Sequence, residues 1–264
     1  MSEHVLIVEG LVKEFGGFRA VDQVSFAVEA GRSLAIVGES GSGKTTIAKM
    51  IVGLERPTSG TISACGRDRS QPARSTRERR ARGREVQIVF QNPYTSLDPR
   101  QTIRRALDEI VALHGSADSA ARADRVNELL RLVGFDVRQG NALPRNLSGG
   151  QRQRAAIARA LAAQPRVLIL DESVAALDVS IQAQVLNLLM DIRESTGVSY
   201  VLISHDLAVV RQMTDDVIVL RHGRMVETGP TEQVLEHPTN PYTQLLRASV
   251  PGPGWQLPTK GRPQ

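Results

Sequence analysis

Hydrophobic residues along this chain fall into two patterns: short unbroken apolar runs, and longer stretches with an apolar position every three or four residues. Runs at 5–12, 21–28, 33–37, 61–64 and 86–90 are rich in β-branched residues, so each predicts a strand. The first ends at the Gly16-Gly17 turn and the second at Gly31. A glycine-rich turn after 33–37 leads into helical spacing over 46–54. The middle changes character: 102–113 and 120–133 read as two helices joined by a polar Gly-Ser-Ala-Asp connection, an inserted helical subdomain. Beyond Gly149, helices over 151–163 and 178–194 alternate with apolar strands over 167–170, 199–203 and 217–220, and Asp178 is placed to N-cap the second helix. Such alternation predicts an α/β fold with a mostly parallel sheet covered by helices. Ligands then belong at the carboxyl ends of the strands. The tail from Pro251, rich in proline and glycine, is expected to be poorly ordered.

Composition narrows the setting. With 264 residues, 41% hydrophobic and 23% charged, the chain can bury one large α/β domain, with or without a small insert. No apolar run approaches the roughly 18 residues that cross a bilayer. Glu3, His4, Glu9, Lys13 and Glu14 break up the start, so no signal peptide is expected. A role at a membrane would therefore come from docking onto another protein. The single cysteine, Cys65, excludes an intramolecular disulfide and a Cys-rich zinc site, and fits a reducing cytoplasm. An aromatic content of 3% argues against a surface built to stack single-stranded bases.

The net charge of +5 conceals eight arginines between Arg67 and Arg84, diluted only by Asp68 and Glu78. This run reads as a solvated loop; attraction to anionic headgroups or nucleic acid is the alternative. Arginine outnumbers lysine throughout the chain, so the run carries little functional weight and no nucleic-acid partner is expected.

Candidate chemistry starts at Gly38-Glu39-Ser40-Gly41-Ser42-Gly43-Lys44-Thr45, which matches the P-loop pattern G-x-x-x-x-G-K-[ST]. The glycines let the backbone curl so that successive N–H groups point at phosphate oxygens. The helix opening near Lys44 adds the positive end of its dipole. Lys44 would reach the β- and γ-phosphates and the Thr45 hydroxyl would ligate Mg²⁺. The strand over 167–170 runs straight into Asp171 and Glu172. Delivered to the same edge, Asp171 would hold Mg²⁺ through a water, and Glu172 could take a proton from the attacking water. His205, after the strand over 199–203, should reach that edge as well; alone, it reads equally well as a hydrogen-bonded structural residue.

Leu147-Ser148-Gly149-Gly150-Gln151, between the P-loop and the acidic strand, resembles the signature of ABC-type ATPases. The resemblance covers almost the whole chain. It implies a P-loop NTPase (RecA-like) core with an antiparallel β subdomain and an inserted α-helical signature subdomain at about 94–148. The ATPase domain would occupy 1–236, and 237–264 a short C-terminal extension with a flexible tail. It also implies a head-to-tail dimer sandwiching two ATP molecules, with Ser148, Gly149, Gly150 and Gln151 facing nucleotide on the partner's P-loop. Phe15 resembles the aromatic that stacks on adenine, with Phe18 near enough to compete, and Thr46 would complete the phosphate site. Gln91 resembles the glutamine that touches Mg²⁺ and links the core to the helical subdomain. Asp178 resembles the loop that crosses to the other subunit, and His205 the switch histidine at the γ-phosphate. Arg152 and Arg154 read as helix surface.

Phe90-Gln91-Asn92-Pro93-Tyr94-Thr95-Ser96-Leu97-Asp98-Pro99-Arg100 resembles a segment typical of peptide-importer ATPases, as does His237-Pro238-Thr239-Asn240-Pro241-Tyr242-Thr243-Gln244-Leu245-Leu246. These two resemblances imply an ATPase powering uptake of di- or oligopeptides, or a related small solute, from the cytoplasmic face of a bacterial membrane. Its partners would be permease subunits, a second ATPase of the same or a sister chain and, indirectly, an extracytoplasmic solute-binding protein. The alternatives are a soluble ABC ATPase acting on DNA or ribosomes, and an export ATPase. The sequence departs from the family pattern at Ser173, where proline usually succeeds the acid, at Ala175 in place of serine, and at Asn240 in place of a second histidine.

Overall fold

The computed structural model describes residues 3–92, 96–115, 118–175 and 177–249. Residues 93–95 of the importer-like segment, Ser116 and Ala117 of the interhelical connection, Ala176 and the tail from Pro251 lie outside that set. The chain runs β1 (His4–Phe15), β2 (Phe18–Glu29), β3 (Ser33–Val37), α1 (Lys44–Val52), β4 (Ser59–Ala64), β5 (Arg67–Asp68), α2 (Thr76–Glu85) and β6 (Val86–Val89). Then come α3 (Ile103–His114), α4 (Ser119–Leu132), α5 (Val137–Gly140), a 3-10 turn (Pro144–Asn146), α6 (Gly149–Leu161), β7 (Val167–Asp171) and α7 (Val179–Thr196). The last part is β8 (Ser199–Ile203), α8 (Leu207–Met213), β9 (Asp216–Arg221), β10 (Arg224–Pro230), α9 (Thr231–Glu236) and α10 (Pro241–Ala248).

Two sheets organise these elements. One is antiparallel, in the order β2-β1-β4-β5; the other has six strands in the order β10-β9-β3-β8-β7-β6. In the second, β6, β7, β8, β3 and β9 are parallel neighbours and β10 closes the edge antiparallel to β9. The unbroken apolar runs arise because a strand's side chains alternate between two covered faces. Leu34 and Ile36 of β3, Val167 and Ile169 of β7, and Ile218 and Leu220 of β9 enter one core with α1 and the antiparallel sheet. Their neighbours Ala35 and Val37, Leu168 and Leu170, and Val217 and Val219 enter a second core with α3, α4, α6 and α7.

The expected strands and long helices are present with ends shifted by a few residues. The arginine run differs from the expected solvated loop. It holds the short β5 and the helix α2, whose N-cap Ser75 accepts from the Glu78 N–H. Glu78 accepts in turn from the Arg74 N–H and pairs with Arg82 one turn on. No residue of α2 is buried, so the helix has no apolar stripe to betray it in the sequence. Arg69 departs furthest: its side chain is 2% exposed, and Nη2 donates to Glu85 at 2.7 Å and to the Arg82 carbonyl at 2.8 Å.

Between the layers, the buried Tyr200 hydroxyl of β8 donates to the Leu189 carbonyl of α7 at 2.7 Å, and burial pushes its phenol far above the ordinary range. Tyr200→Phe removes this bond while keeping the ring. Urea unfolding is expected to show a loss of about 1 kcal/mol with an unchanged slope.

Candidate nucleotide site

Four parallel strands, β3, β7, β8 and β9, end together, and the loop after β3 turns back across that edge into α1. Gly38, Gly41 and Gly43 hold positive φ angles of 147°, 80° and 103°. A Cβ on Gly38 would stand 2.2 Å from the Leu220 carbonyl oxygen, and one on Gly43 2.4 Å from that of Ala20. Only glycine lets this backbone lie so close to β9 and β2. Gly43 is also the N-cap of α1, so Lys44, Thr45 and Thr46 form its first turn.

Lys44 is buried, and its ammonium donates to the Gly38 and Glu39 carbonyls, each at 2.8 Å. Burial lowers its pKa, opposed by the negative charges of Glu172, Asp171 and Glu39. The Thr45 hydroxyl donates to Asp171 Oδ1 at 3.1 Å. Burial raises the Asp171 pKa, only partly offset by the Thr45 bond, with Glu172 adding repulsion. The Ser42 hydroxyl is buried without a partner among the described residues. A cation bonded to carbonyls, an orphaned hydroxyl and a glycine cradle that no Cβ fits suit a bound polyphosphate. One hydroxyl and one carboxylate form an oxygen donor set suited to Mg²⁺ that also binds phosphate, and among the described residues no all-protein metal cluster competes for it.

Glu172 comes directly after Asp171 with φ 46°, a left-handed backbone unusual for glutamate, and its N–H donates to the Ile203 carbonyl at 2.9 Å. Its carboxylate reaches His205, whose Nδ1 lies 3.5 Å from Glu172 Oε1. Beyond Glu172, Ser173 is buried with an unpartnered hydroxyl, among the described residues, where the family pattern has proline. Phe15, Phe18, Ala20, Ser40, Gly41, Gly43, Lys44, Thr45, Thr46 and Glu172 line one cleft of about 340 Å³. Phe15 and Phe18 face each other across the β1–β2 hairpin end, and Lys13 Nζ sits 4.6 Å from the Phe15 ring centroid. Ala20 also reaches this cleft, although a lone alanine in an apolar strand carries no signal of such a place.

The remaining expected residues lie off the cleft. Gln91 is exposed just beyond β6, whose Val89 pairs with Leu170 of β7. Ser148 N-caps α6, accepting from the Gln151 N–H at 3.3 Å, while Gln151 Oε1 accepts from the Ser148 N–H at 2.9 Å. This reciprocal capping box leaves Ser148 and Gly149 exposed at a positive helix end. Gly150 is buried against Ile181 of α7. Asp178 stands at the N-cap of α7, exposed, without a side-chain capping bond. Arg152 and Arg154, read as helix surface, instead bind inward to the Pro144 and Val133 carbonyls.

A phosphate loop beside a buried acid, an acidic residue turned to a histidine, and a second glycine turn capping a separate helix define a P-loop ATPase of the ATP-binding-cassette class. The chain belongs to the ABC transporter family, whose model matches residues 21–175. Residues 226–263 match the oligopeptide/dipeptide transporter C-terminal region. The chain is 45% identical to the di/tripeptide transport ATP-binding protein DppF of Pseudomonas aeruginosa over 251 residues, 95% of this chain and 77% of that one. It is 41% identical to the dipeptide transport ATP-binding protein DppF of Escherichia coli, covering 95% of this chain and 75% of that one. Among solved structures, cbiO1 of Clostridium perfringens, part of the ABC transporter complex cbiONQ, superposes with TM-score 0.80 at 27% identity, covering 89% of this chain and 92% of that one. The dimeric post-hydrolysis state of the cassette MJ0796 bound to ADP and Pi gives 0.76 at 28% identity, covering 86% and 98%. These matches favour a peptide-uptake ATPase over the DNA-, ribosome- or export-directed alternatives.

A Cβ added to Gly150 would meet Ile181 Cγ2 at 2.3 Å. Gly150→Ala is expected to lose about 1–3 kcal/mol of stability through overpacking. Combining it with Ile181→Ala should recover part of that loss, read as non-additivity in a double-mutant cycle.

Proposed function

We propose that this chain is the ATP-hydrolysing subunit of an importer for di- or oligopeptides, or a related small solute, working at the cytoplasmic face of a bacterial membrane. The observation that carries the proposal is the conjunction, in one chain, of the glycine-cradled Lys44 and Asp171 with a C-terminal region matching that of peptide transporters. Among the described residues no helix is long and apolar enough to cross a membrane, so the membrane path would belong to separate permease subunits. The solute-binding protein would meet those permeases on the other side.

In this reading the loop N–H groups and the Ser42 hydroxyl bind phosphate oxygens, with Gly38 through Gly43 forming the cradle. Lys44 leaves the Gly38 and Glu39 carbonyls for the β- and γ-phosphates, and Thr46 lines the cleft beside it. Thr45, Asp171 and Gln91 would hold Mg²⁺, which would supply neutralising charge to the phosphate oxygens. Phe15 offers its ring to adenine. Glu172 accepts a proton from the attacking water, and His205 contacts the γ-phosphate as well as Glu172. Catalysis is then positioning and charge stabilisation more than covalent chemistry.

The Ser148-Gly149-Gly150-Gln151 turn, with Ser148 and Gly149 exposed at the N-terminus of α6, would close over nucleotide on a second ATPase subunit, with Asp178 crossing the same interface. ATP draws the two together and hydrolysis lets them part, moving the permease between its two accessible states.

Glu172→Gln is expected to retain ATP binding and lose about 10²- to 10⁴-fold in turnover. Lys44→Ala should lose binding itself. Full turnover by the first variant, in a phosphate-release assay, would remove Glu172 from the mechanism. The same Glu172→Gln protein, tagged and recovered with Mg-ATP from solubilised membranes, should bring polytopic permeases with it. Recovery of ribosomal or DNA-bound proteins alone would overturn the transporter reading.

A further inference from the structure

The C-terminal motif has no task in the chemistry above, yet the structure brings it to the phosphate loop. Asn240 accepts from the Tyr242 N–H at 2.9 Å and caps α10, with Pro241 at the first helical position. The residues before the helix are fastened to β10. Glu227 accepts from the Thr239 N–H at 2.7 Å, the Thr239 hydroxyl at 2.8 Å and the Asn240 N–H at 3.3 Å. The Asn240 amide donates to the Val226 carbonyl at 3.3 Å.

This fastening directs Tyr242 inward. The residue is 4% exposed, and its hydroxyl accepts from the backbone N–H of Glu39 at 3.1 Å. The Arg221 guanidinium covers its ring 4.9 Å from the centroid. Arg221 ends β9, next to Leu220, whose carbonyl leaves no room for a side chain on Gly38. Glu39 is therefore held from both ends. Its N–H is bound by α10, and its carbonyl accepts from Lys44 Nζ at 2.8 Å and from the Ser42 N–H at 3.2 Å.

We propose that Tyr242 is a positioning residue of the nucleotide site: its hydroxyl fixes the Glu39 backbone, so that α10 sets the shape of the phosphate loop. The inference rests on the ATP-binding reading of that loop. The hydroxyl restrains the residue whose carbonyl holds the Ser42 N–H and, before nucleotide arrives, Lys44; releasing it widens the range of loop geometries from which nucleotide must be captured. The cost falls on ground-state and transition-state binding alike, and so on KM rather than kcat. The C-terminal extension thereby becomes a route by which anything that shifts α10 alters ATP affinity.

The test uses the full-length protein, ATP titrated by calorimetry and steady-state phosphate release. Tyr242→Phe keeps the ring beneath Arg221 and deletes the hydroxyl. Tyr242→Leu deletes both. The expected result is a rise of about three- to tenfold in ATP Kd and KM for the Phe variant, with kcat within about twofold and the thermal midpoint nearly unchanged. A Phe variant matching the unsubstituted protein in Kd and KM, whatever Leu does, would reduce Tyr242 to packing and overturn the inference while leaving the ATP-binding reading intact. Failure of the unsubstituted protein to bind ATP would overturn both.

Discussion

The nucleotide site depends on how closely one loop passes between two sheets. Gly38 lies against the Leu220 carbonyl of β9 and Gly43 against the Ala20 carbonyl of β2, and neither contact leaves room for a Cβ. Gly223 completes the junction: its N–H donates to the Ser42 carbonyl at 3.1 Å and its carbonyl accepts from the Asp22 N–H at 2.8 Å. Asp22 is fastened by Arg224 and then Arg19, which hold its carboxyl below the ordinary range against the opposing effect of burial. With the loop clamped at both ends, α1 has one possible start. The directions of Lys44 and Thr45, and the meeting of Thr45 with Asp171, are set by that start.

The same closeness sets the electrostatics. Burial disfavours the charge on Lys44 and on Asp171 alike, lowering one pKa and raising the other. Carbonyl oxygens and a single hydroxyl compensate only in part. Phosphate oxygens would complement the first charge and a small dication the second, so one ligand carrying both answers two costs together. Glu172 acts on both through its charge, supporting Lys44 and repelling Asp171, while its left-handed backbone brings its carboxylate to His205.

Much of this was legible in the sequence where the cause is local. β8 spans the expected 199–203, because a strand covered on both faces must be apolar throughout. The phosphate loop is a property of one short segment, with glycines at 38, 41 and 43 before Lys44 and Thr45. What stayed hidden has causes that patterning does not carry. α2 is polar on every side and owes its form to Ser75, Glu78 and Arg82. β10 is only partly buried, and α8 and α9 are too short to establish a period. The bond from Glu39 to Tyr242 spans 203 positions, and nothing in either segment announces the other.

The helix of arginines has a further consequence. α2 buries none of its residues, and its outer bonds, Glu78 with Arg82 and Arg67 with Glu85, are ion pairs at or near the surface. Such pairs weaken as salt shortens the Debye length from about 8 Å under physiological conditions to about 3 Å at 1 M. The sheet beneath is held by aliphatic packing that salting-out ions reinforce. One molecule thus carries two regions with opposite responses to brine: a rind that loosens as ions crowd in and a kernel that tightens. The buried contact of Arg69 with Glu85 ties the first to the second.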